Sequence, residues 1–426
     1  MSLSESPLFR LYDLLWGPAL LLLKRNKRLR HGWGQRVLKD PYPGPCDLWI
    51  QAASVGEAFL AGELLPRLSN PLDRPLRILL TTNTAEGMER LDALATILRP
   101  RRSDLLLHTA YFPLDRPRLI RKAMAQVRPR TAVLLESEMW PGFMAACRDN
   151  DVDLLLVNGR MSEKSLRGYL KFPSFFRKLA PKRILAMSEA DAARFAALYG
   201  HARVDLMSNI KFDRVTPPGA NGNGTNPLRE ILPQTPFVVL ASVREQEEPD
   251  VLRMVRGIIT ARPDAVVGLF PRHMHRIEPW QGILEEAGID YQLRSAVTAP
   301  PAPGSVLLWD TMGEMGHAFE LASAAFVGGS LAPLGGQNFL EPLNCGITPV
   351  IGPHWKNFAW IGGEIVDCGL VHVRQNAEAV LHELLALLAQ RPDPEEVRSR
   401  FLAYVAERRG GAATACGLVA ESLKRR

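Results

Sequence analysis

The most informative stretch of the sequence is GGSLAPLGGQNFLEP, residues 328–342. It follows an apolar run, Ala324–Val327, whose composition predicts a buried parallel strand. Its two glycine pairs admit positive φ and let the backbone approach a ligand closely. Asn338 is predicted to open a helix with Glu341 in its first turn, and a helix N-terminus offers free N–H groups to an anion. The stretch suits a nucleotide, with phosphate at the helix start and ribose on Glu341, although a glycine-rich turn capped by Asn338 has the same pattern.

The composition is that of a globular protein with two or three domains. Of its 426 residues, 46% are hydrophobic and 23% are charged. The five cysteines are scattered and none has C-x-x-C spacing. This usage indicates a reducing compartment and argues against structural disulfides or a cysteine zinc site.

The net charge of +7 is unevenly distributed along the chain. Residues 1–213 carry an excess of 11 positive charges, whereas residues 214–426 carry an excess of 4 negative charges. A basic first half indicates an anionic partner, such as nucleic acid, anionic lipid or a phosphorylated substrate. The aromatic residues are not interleaved with the basic ones as base stacking requires, so lipid ranks above nucleic acid.

The N-terminus combines an apolar segment, residues 11–23, with a basic cluster, KRNKRLR, at 24–30. Thirteen helical residues rise about 20 Å, which is less than the roughly 30 Å of a hydrocarbon core. A signal peptide carries its positive charge before the apolar region, not after it. The order therefore predicts a membrane anchor at 1–30 on the cytoplasmic face. The alternatives are a segment that just spans the membrane and a first helix packed on the core.

Short apolar runs alternate with helical stretches, seven in the first half and six in the second, which predicts parallel sheets of βαβ units. A stretch rich in Pro, Gly and Asn predicts a linker at 217–228. We expect two doubly wound α/β domains facing a central cleft at the carboxyl ends of their strands. Their predicted limits are 31–216 and 229–395, followed by a C-terminal helical segment at 396–426.

Candidate catalytic residues follow predicted strands of the first half. Ser54 and Glu57 match a helix capping box, or Glu57 is a general base facing the cleft. Glu136 and Glu138 should point to the same side, into the cleft or onto a solvated rim. Lys211, near the end of the first domain, can reach a phosphate or carboxylate, or is a surface lysine.

Two further segments of the second half follow predicted strands. Arg272 has the donor fork that holds a phosphate. The neighbouring His273 and His275 have no cysteine or carboxylate cluster beside them in sequence, which argues against a metal site. Residues 312–314, Met-Gly-Glu, place a flexible glycine next to an acid and could admit a base or ribose.

These motifs together resemble the 3-deoxy-D-manno-octulosonic acid (Kdo) transferases of lipopolysaccharide assembly. The resemblance implies a GT-B fold with two Rossmann-like domains, the first for the acceptor and the second for the nucleotide. It implies inverting transfer of Kdo from CMP-Kdo to a hydroxyl of a lipid A precursor, lipid IVA, at the cytoplasmic side of the bacterial inner membrane. The matching segments are 53–57, 136–141, 158–162, 209–213, 271–273, 312–314, 328–342 and 352–358.

The resemblance also assigns roles to residues. Glu57 is the expected proton acceptor, and Glu136 and Lys211 are expected to stabilise the transition state, with Glu138 as the alternative acid. No metal is expected, because the leaving group is a phosphate monoester, a stable anion whose charge nearby donors can offset. The expected donor-binding residues are Pro271, Arg272, Met312, Gly313, Glu314, Asn338, Phe339, Leu340 and Glu341.

One segment departs from the family pattern. Where the family usually has A-S-T-H-x-G-E-E, residues 241–248 read A-S-V-R-E-Q-E-E. Arg244 replaces the histidine and can contact a phosphate, but it cannot titrate near neutral pH. Two alternatives to a Kdo transferase stay open: a GT-B enzyme with another nucleotide sugar and a soluble acceptor, and a catalytically silent membrane-bound scaffold.

Overall fold

The computed structural model describes residue 3 and residues 6–137, 139–215, 226–232 and 236–425. The chain divides into two units, Met1–Arg214 with Arg408–Arg426, and Val215–Glu407. Most of the predicted linker at 217–228 lies outside the described residues, and so does Glu138.

The first unit is built on a parallel sheet with strand order β3-β2-β1-β4-β5-β6-β7. Its strands are β1 Leu48–Gln51, β2 Leu76–Thr82, β3 Leu105–Tyr111, β4 Thr131–Leu135, β5 Asp153–Gly159, β6 Arg183–Ala186 and β7 Val204–Leu206. Alternate residues of β1 enter different cores, because successive side chains point to opposite faces. Trp49 packs in one core, whereas Leu48 and Ile50 pack in the other. Burial on both faces explains the near-continuous apolar runs in the sequence.

The helices of this unit begin mostly at residues that favour helix starts. Ser54, Thr84 and Ser188 each accept a hydrogen bond from a backbone N–H of the first helical turn. The helices are α1 Pro7–Leu23, α2 Lys27–Arg30, α3 Trp33–Arg36, α4 Val55–Leu64, α5 Ala85–Leu98, α6 Pro117–Val127, α7 Pro141–Asp149, α8 Glu163–Tyr169, α9 Pro173–Lys178 and α10 Glu189–Tyr199.

The second unit contains another parallel sheet, with strand order β10-β11-β9-β8-β12-β13-β14. Its strands are β8 Phe237–Val243, β9 Val266–Pro271, β10 Tyr291–Leu293, β11 Val306–Leu308, β12 Ala324–Val327, β13 Pro349–Ile351 and β14 His372–Val373. Its helices are α11 Glu248–Ala261, α12 Ile277–Glu286, α13 Met315–Leu321, α14 Leu340–Asn344, α15 Glu364–Asp367, α16 Ala377–Ala389 and α17 Pro394–Ala406. The sequence prediction missed β10, a three-residue strand at the edge of this sheet.

The last helix, α18 (Gly411–Lys424), belongs to the first unit. The C-terminal segment predicted at 396–426 is thus divided, with α17 in the second unit and α18 in the first. Ala412, Ala415 and Leu423 are buried in the first unit's core. The Ser422 hydroxyl donates to Asp153 and shares a hydrogen bond with the Thr131 hydroxyl.

Strand order locates the switch point of each sheet, where ligands of doubly wound proteins bind. In the first sheet the order reverses between β1 and β4, so the segments after these strands, which carry Glu57 and Glu136, lie at the switch point. In the second sheet it reverses between β8 and β12, so the segment beginning at Arg244 and the glycine-rich loop from Gly328 lie there.

Helix α1 packs on the first unit through one face only. Phe9 and Asp13 are buried, and the Asp13 carboxylate lies 3.2 Å from the guanidinium groups of Arg116 and Arg118. The leucines on its other positions, including Leu11 and Leu15, are exposed. Within the described part of the chain, no helix combines the length and apolar character needed to cross a membrane.

Candidate functional site

Glu57 lies in the first turn of α4, directly after β1. Its N–H donates to Ser54 Oγ at 3.4 Å, and its Oε2 accepts the Ala53 N–H at 2.6 Å. The Ser54 hydroxyl also donates to Glu57 Oε1, at 3.2 Å. Ser54 is therefore the N-cap of α4, as the capping interpretation predicted, whereas the return bond of Glu57 goes to the N–H of Ala53 rather than to that of Ser54. The role of this buried carboxylate as proton acceptor stays a prediction.

Glu136 follows β4, and its buried carboxylate has two cationic partners. Lys211 Nζ lies 2.7 Å from Glu136 Oε1, and the Arg160 guanidinium lies 3.0 Å from Oε2. The structure thus brings together two of the predicted catalytic residues, Glu136 and Lys211. Glu136 has φ of +56°, so it is outside the strand and strand alternation does not determine its direction. A non-glycine residue in the left-handed region costs roughly 1–3 kcal/mol and is often found at functional sites.

Two asparagines that were not predicted as site residues hold the Lys211 backbone. Asn158 in β5 is fully buried, has φ of +56°, and accepts the Ile210 N–H at 3.0 Å through Oδ1. Asn209 Oδ1 accepts the Lys211 N–H, also at 3.0 Å. The two asparagine side chains therefore hold the backbone from which the Lys211 side chain extends to Glu136. The sequence signal for this role was an asparagine directly after a predicted buried strand, as Asn158 is.

The glycine-rich loop after β12 forms a closed turn. Gly329, Gly335 and Gly336 have positive φ, and the Gly336 N–H donates to the Gly329 carbonyl at 2.7 Å. At Gly336 an added Cβ would lie 3.0 Å from the backbone of Trp355, so this position has little room for a side chain. The glycines thus allow the tight turn that the sequence predicted.

The helix after this loop differs from the prediction. It is α14, which has five residues and begins at Leu340 rather than Asn338. Asn338 Oδ1 accepts the Leu340 N–H at 3.2 Å, and its Nδ2 donates to Glu341 Oε1 at 2.7 Å. Phe339 and Leu340 are buried, so the structure does not present their side chains to a ligand. Asn338 and Glu341 are thus coupled before any nucleotide binds.

Two arginines, Arg244 and Arg272, lie with His273 and His275 at the carboxyl ends of β8 and β9, and we call this group the cation cluster after its two guanidinium groups. Desolvation, followed by the positive charges of Arg244, Arg272 and His275, lowers the pKa of His273. The Arg272 N–H donates to the Val243 carbonyl at 2.8 Å, which ties the two strand ends together. A bound anion would offset the positive charges of the two arginines, which makes the cluster a candidate phosphate site.

Glu341 faces this cation cluster. Desolvation raises the pKa of its carboxyl, although more than a third of the residue is exposed. The hydrogen bond from Asn338 and the charge of Arg272 act in the opposite direction. Glu341 therefore interacts with two other predicted donor-binding residues, Arg272 and Asn338.

In the segment after β11, Glu314 is held by hydrogen bonds, whereas Met312 and Gly313 are accessible. The Glu314 carboxylate accepts hydrogen bonds from Arg294, Trp309 and Thr311 at 2.7–3.0 Å. Met312 is 77% exposed, and Gly313, with φ of +86°, has open space where a Cβ would lie. Glu314 thus holds the turn in place, and Met312 and Gly313 present its accessible surface. Pro271, the last residue of β9, is partly exposed.

An apolar cavity opens on the surface of the first unit beside α1. Its volume is about 260 Å³. Its walls come from α1, the start of α7, and α9 with the residue before it. They are formed by Leu8, Phe9, Leu11, Tyr12, Leu15, Pro141, Phe172, Phe175 and Phe176. Phe172 is 67% exposed, and in the sequence it follows the basic residue Lys171 and precedes Arg177.

Comparison with known proteins defines the family and the fold. Residues 26–214 match the family described as 3-deoxy-D-manno-octulosonic-acid transferase (kdotransferase). The 3-deoxy-D-manno-octulosonic acid transferase of Bordetella pertussis is 32% identical over 406 residues, covering 89% of each chain. The Haemophilus influenzae protein of the same name is 29% identical, covering 86% of this chain and 85% of its own.

One solved structure supports the fold independently. The UDP-GlcNAc 2-epimerase from Neisseria meningitidis bound to UDP-GlcNAc has a TM-score of 0.54 and 11% identity, covering 89% of this chain and all of its own. At this identity the likeness concerns the fold alone, the two-domain α/β GT-B fold that the sequence predicted. The relatives above identify the chain as a member of the Kdo transferase family, the glycosyltransferases of lipopolysaccharide biosynthesis.

Proposed function

We propose that this glycosyltransferase moves Kdo from CMP-Kdo to a hydroxyl of the lipid A precursor lipid IVA, with inversion at the anomeric carbon. The observation that carries the donor assignment is the cation cluster of Arg244, Arg272, His273 and His275 beside the switch point of the second sheet. A sugar nucleotide with one phosphate presents a compact anion to such a cluster. Glu341, coupled to Asn338, then offers acceptor oxygens to the ribose hydroxyls.

The proposed reaction forms one bond and breaks one. The acceptor oxygen attacks the anomeric carbon of Kdo as its proton passes to Glu57, and the bond between that carbon and the CMP phosphate oxygen breaks. CMP leaves as a stable phosphate anion, and Arg272 offsets its developing charge. We propose that Lys211, held against Glu136 at 2.7 Å, supplies a fixed positive charge during the transfer. No metal is required in this scheme, because these residues provide both the base and the charge.

We further propose that the protein acts at the cytoplasmic side of the bacterial inner membrane. Support comes from the exposed leucines of α1 and the apolar cavity beside them. The basic residues at 24–30 and 164–178 suit an anionic lipid surface. A phosphorylated glycolipid acceptor would then be met at the surface in which its acyl chains reside.

The test is incubation of the full chain with CMP-Kdo and tetra-acylated lipid IVA, with products identified by mass spectrometry. We expect Kdo-modified lipid, and we expect Arg272→Ala to raise the KM for CMP-Kdo about 10- to 100-fold, because a charge-assisted contact contributes about 1.5–3 kcal/mol. The matched control is Arg253→Ala, an exposed arginine of α11 paired with Asp250, which should leave KM unchanged. Transfer from another nucleotide sugar to a soluble acceptor, with none from CMP-Kdo, would reject the proposal.

A further inference from the structure

Glu247 is a fully buried carboxylate at the centre of the glycine-rich loop. Its two oxygens accept the backbone N–H groups of four consecutive residues, 329–332, at 2.5–3.4 Å. A fifth N–H, that of Arg244, donates to Oε2 at 3.3 Å. Glu247 comes from the segment after β8 and the loop follows β12, so one side chain joins the two segments at the switch point.

Consecutive backbone N–H groups that converge in a turn form an anion-binding concavity. In doubly wound nucleotide-binding sheets such loops lie at the switch point and receive a phosphate. Here the anion is a side chain of the protein itself. The N–H groups of 329–332 are therefore already engaged, and a phosphate could use them only by displacing a buried carboxylate from at least three hydrogen bonds.

The backbone at Gly328 packs closely against Glu247 and the end of β8. A Cβ added at Gly328 would lie 2.8 Å from the Ser242 carbonyl oxygen and 3.0 Å from Glu247 Oε2. The same Cβ would lie 3.1 Å from the Cα of Val243, whose carbonyl accepts the Arg272 N–H. The filled concavity and the cation cluster are thus neighbours, one negative and buried, the other positive and exposed.

We propose that Glu247 selects the donor class by occupying the position that a second phosphate would take. The inference rests on the proposed function, in that the cation cluster holds the single phosphate of the donor. A nucleoside diphosphate would bring its additional charge toward a buried carboxylate, and like charges in such surroundings repel strongly. Glu247 is thereby a specificity-determining residue that favours nucleoside monophosphate sugars over nucleoside diphosphate sugars.

The test compares CMP with CDP, which share the base and differ by one phosphate, by isothermal titration calorimetry on the full chain. We expect wild-type protein to bind CMP at least tenfold more tightly than CDP. Glu247→Gln removes the charge with little change in shape, and should lower this ratio at least tenfold, chiefly by strengthening CDP binding. Glu247→Asp retains the charge and should retain the preference. A merely structural role would weaken both nucleotides together.

Glu248→Gln is the matched control. Glu248 is the next residue, is also buried, and pairs with Arg276 rather than with the loop. The change should leave the CMP to CDP ratio as in wild type. Equal affinity of wild-type protein for CMP and CDP would contradict the proposal that Glu247 selects the donor class, and would leave the proposed function standing. This measurement does not depend on the folding of any variant. An unchanged ratio in folded Glu247→Gln would also overturn the proposal for Glu247. Failure of wild-type protein to bind CMP would reject both proposals.

Discussion

At the scale of single residues, Glu57 combines structural and proposed catalytic roles in one carboxylate. It stabilises the start of α4 through hydrogen bonds with Ala53 and Ser54. A carboxylate near a helix N-terminus is stabilised in its charged form, which weakens it as a base, whereas burial has the opposite effect. The two roles can be separated by a substitution that keeps the hydrogen-bond acceptor but removes the capacity to take a proton.

Glu57→Gln is that substitution. We expect turnover to fall by about 10²- to 10⁴-fold, because a general base contributes this much, while the melting temperature changes little. As a control, Asn376→Ala removes the cap of α16 in the second unit, where Asn376 Oδ1 accepts the Ala379 N–H. It should cost about 1 kcal/mol of stability and leave turnover unchanged. Undiminished turnover in Glu57→Gln would leave the residue with its capping role alone.

At the scale of elements, the buried Asp13 determines how α1 is presented. An acidic residue inside an apolar helix is costly unless it is paired, and Arg116 and Arg118 both pair with Asp13 from the start of α6. The Tyr12 hydroxyl adds a hydrogen bond to Asp115, a buried acid whose pKa burial raises to about 7. These contacts fix the docked face of α1 and leave its leucines pointing outward.

The exposed leucines should therefore control lipid association. We expect the double change Leu11→Asp and Leu15→Asp to lower binding to anionic phospholipid vesicles more than tenfold in a flotation assay, because each leucine contributes roughly 1.5–3 kcal/mol when fully buried. Ile97→Asp, at an exposed apolar position on α5 of the same unit, should leave flotation unchanged. Equal losses in both proteins would show that added charge, rather than the α1 surface, reduces lipid binding.

At the scale of the whole molecule, the first unit is completed by the end of the chain. Asp213 accepts the N–H groups of Gly410 and Ala412, and α18 adds apolar side chains to the core beneath β1, β4 and β5. In the sequence, the second unit is inserted between the two segments that form the first unit. The stability of the first unit should therefore depend on residues far beyond its main part in the sequence, such as Gly410 and Ala412, which lie 197 and 199 positions after Asp213.

Leu423→Ala tests this dependence. Leu423 is fully buried in the first unit, so its truncation should lower the free energy of unfolding by about 2–5 kcal/mol in urea titrations. Amide protons of β4 and β5 should exchange faster in the variant. Glu421→Ala, an exposed position on the same helix, should change stability by at most about 0.5 kcal/mol. Unaltered exchange in β4 and β5 would contradict the assignment of α18 to this core.

Much of the fold could be predicted because the signals are local. Apolar runs such as Ala324–Val327 indicate strands buried on both faces, and their alternation with helices indicates parallel sheets. β10 escaped prediction because an edge strand is only partly buried, and Tyr291–Leu293 has no apolar run. Of the candidate site, the segments at strand ends were predictable, because such ends meet at one edge of a parallel sheet.

The sequence by itself determined the sheet type, the family and the segments that carry Glu57, Glu136, Arg272 and Glu341. The tertiary structure alone brings Lys211 to Glu136 and places the Glu247 carboxylate among the backbone N–H groups of the glycine-rich loop. The difference arises from the distance along the sequence over which each interaction acts. Helix and strand signals depend on neighbours within a few residues, whereas Glu247 meets amides more than 80 positions away, through two strands that the sheet places side by side.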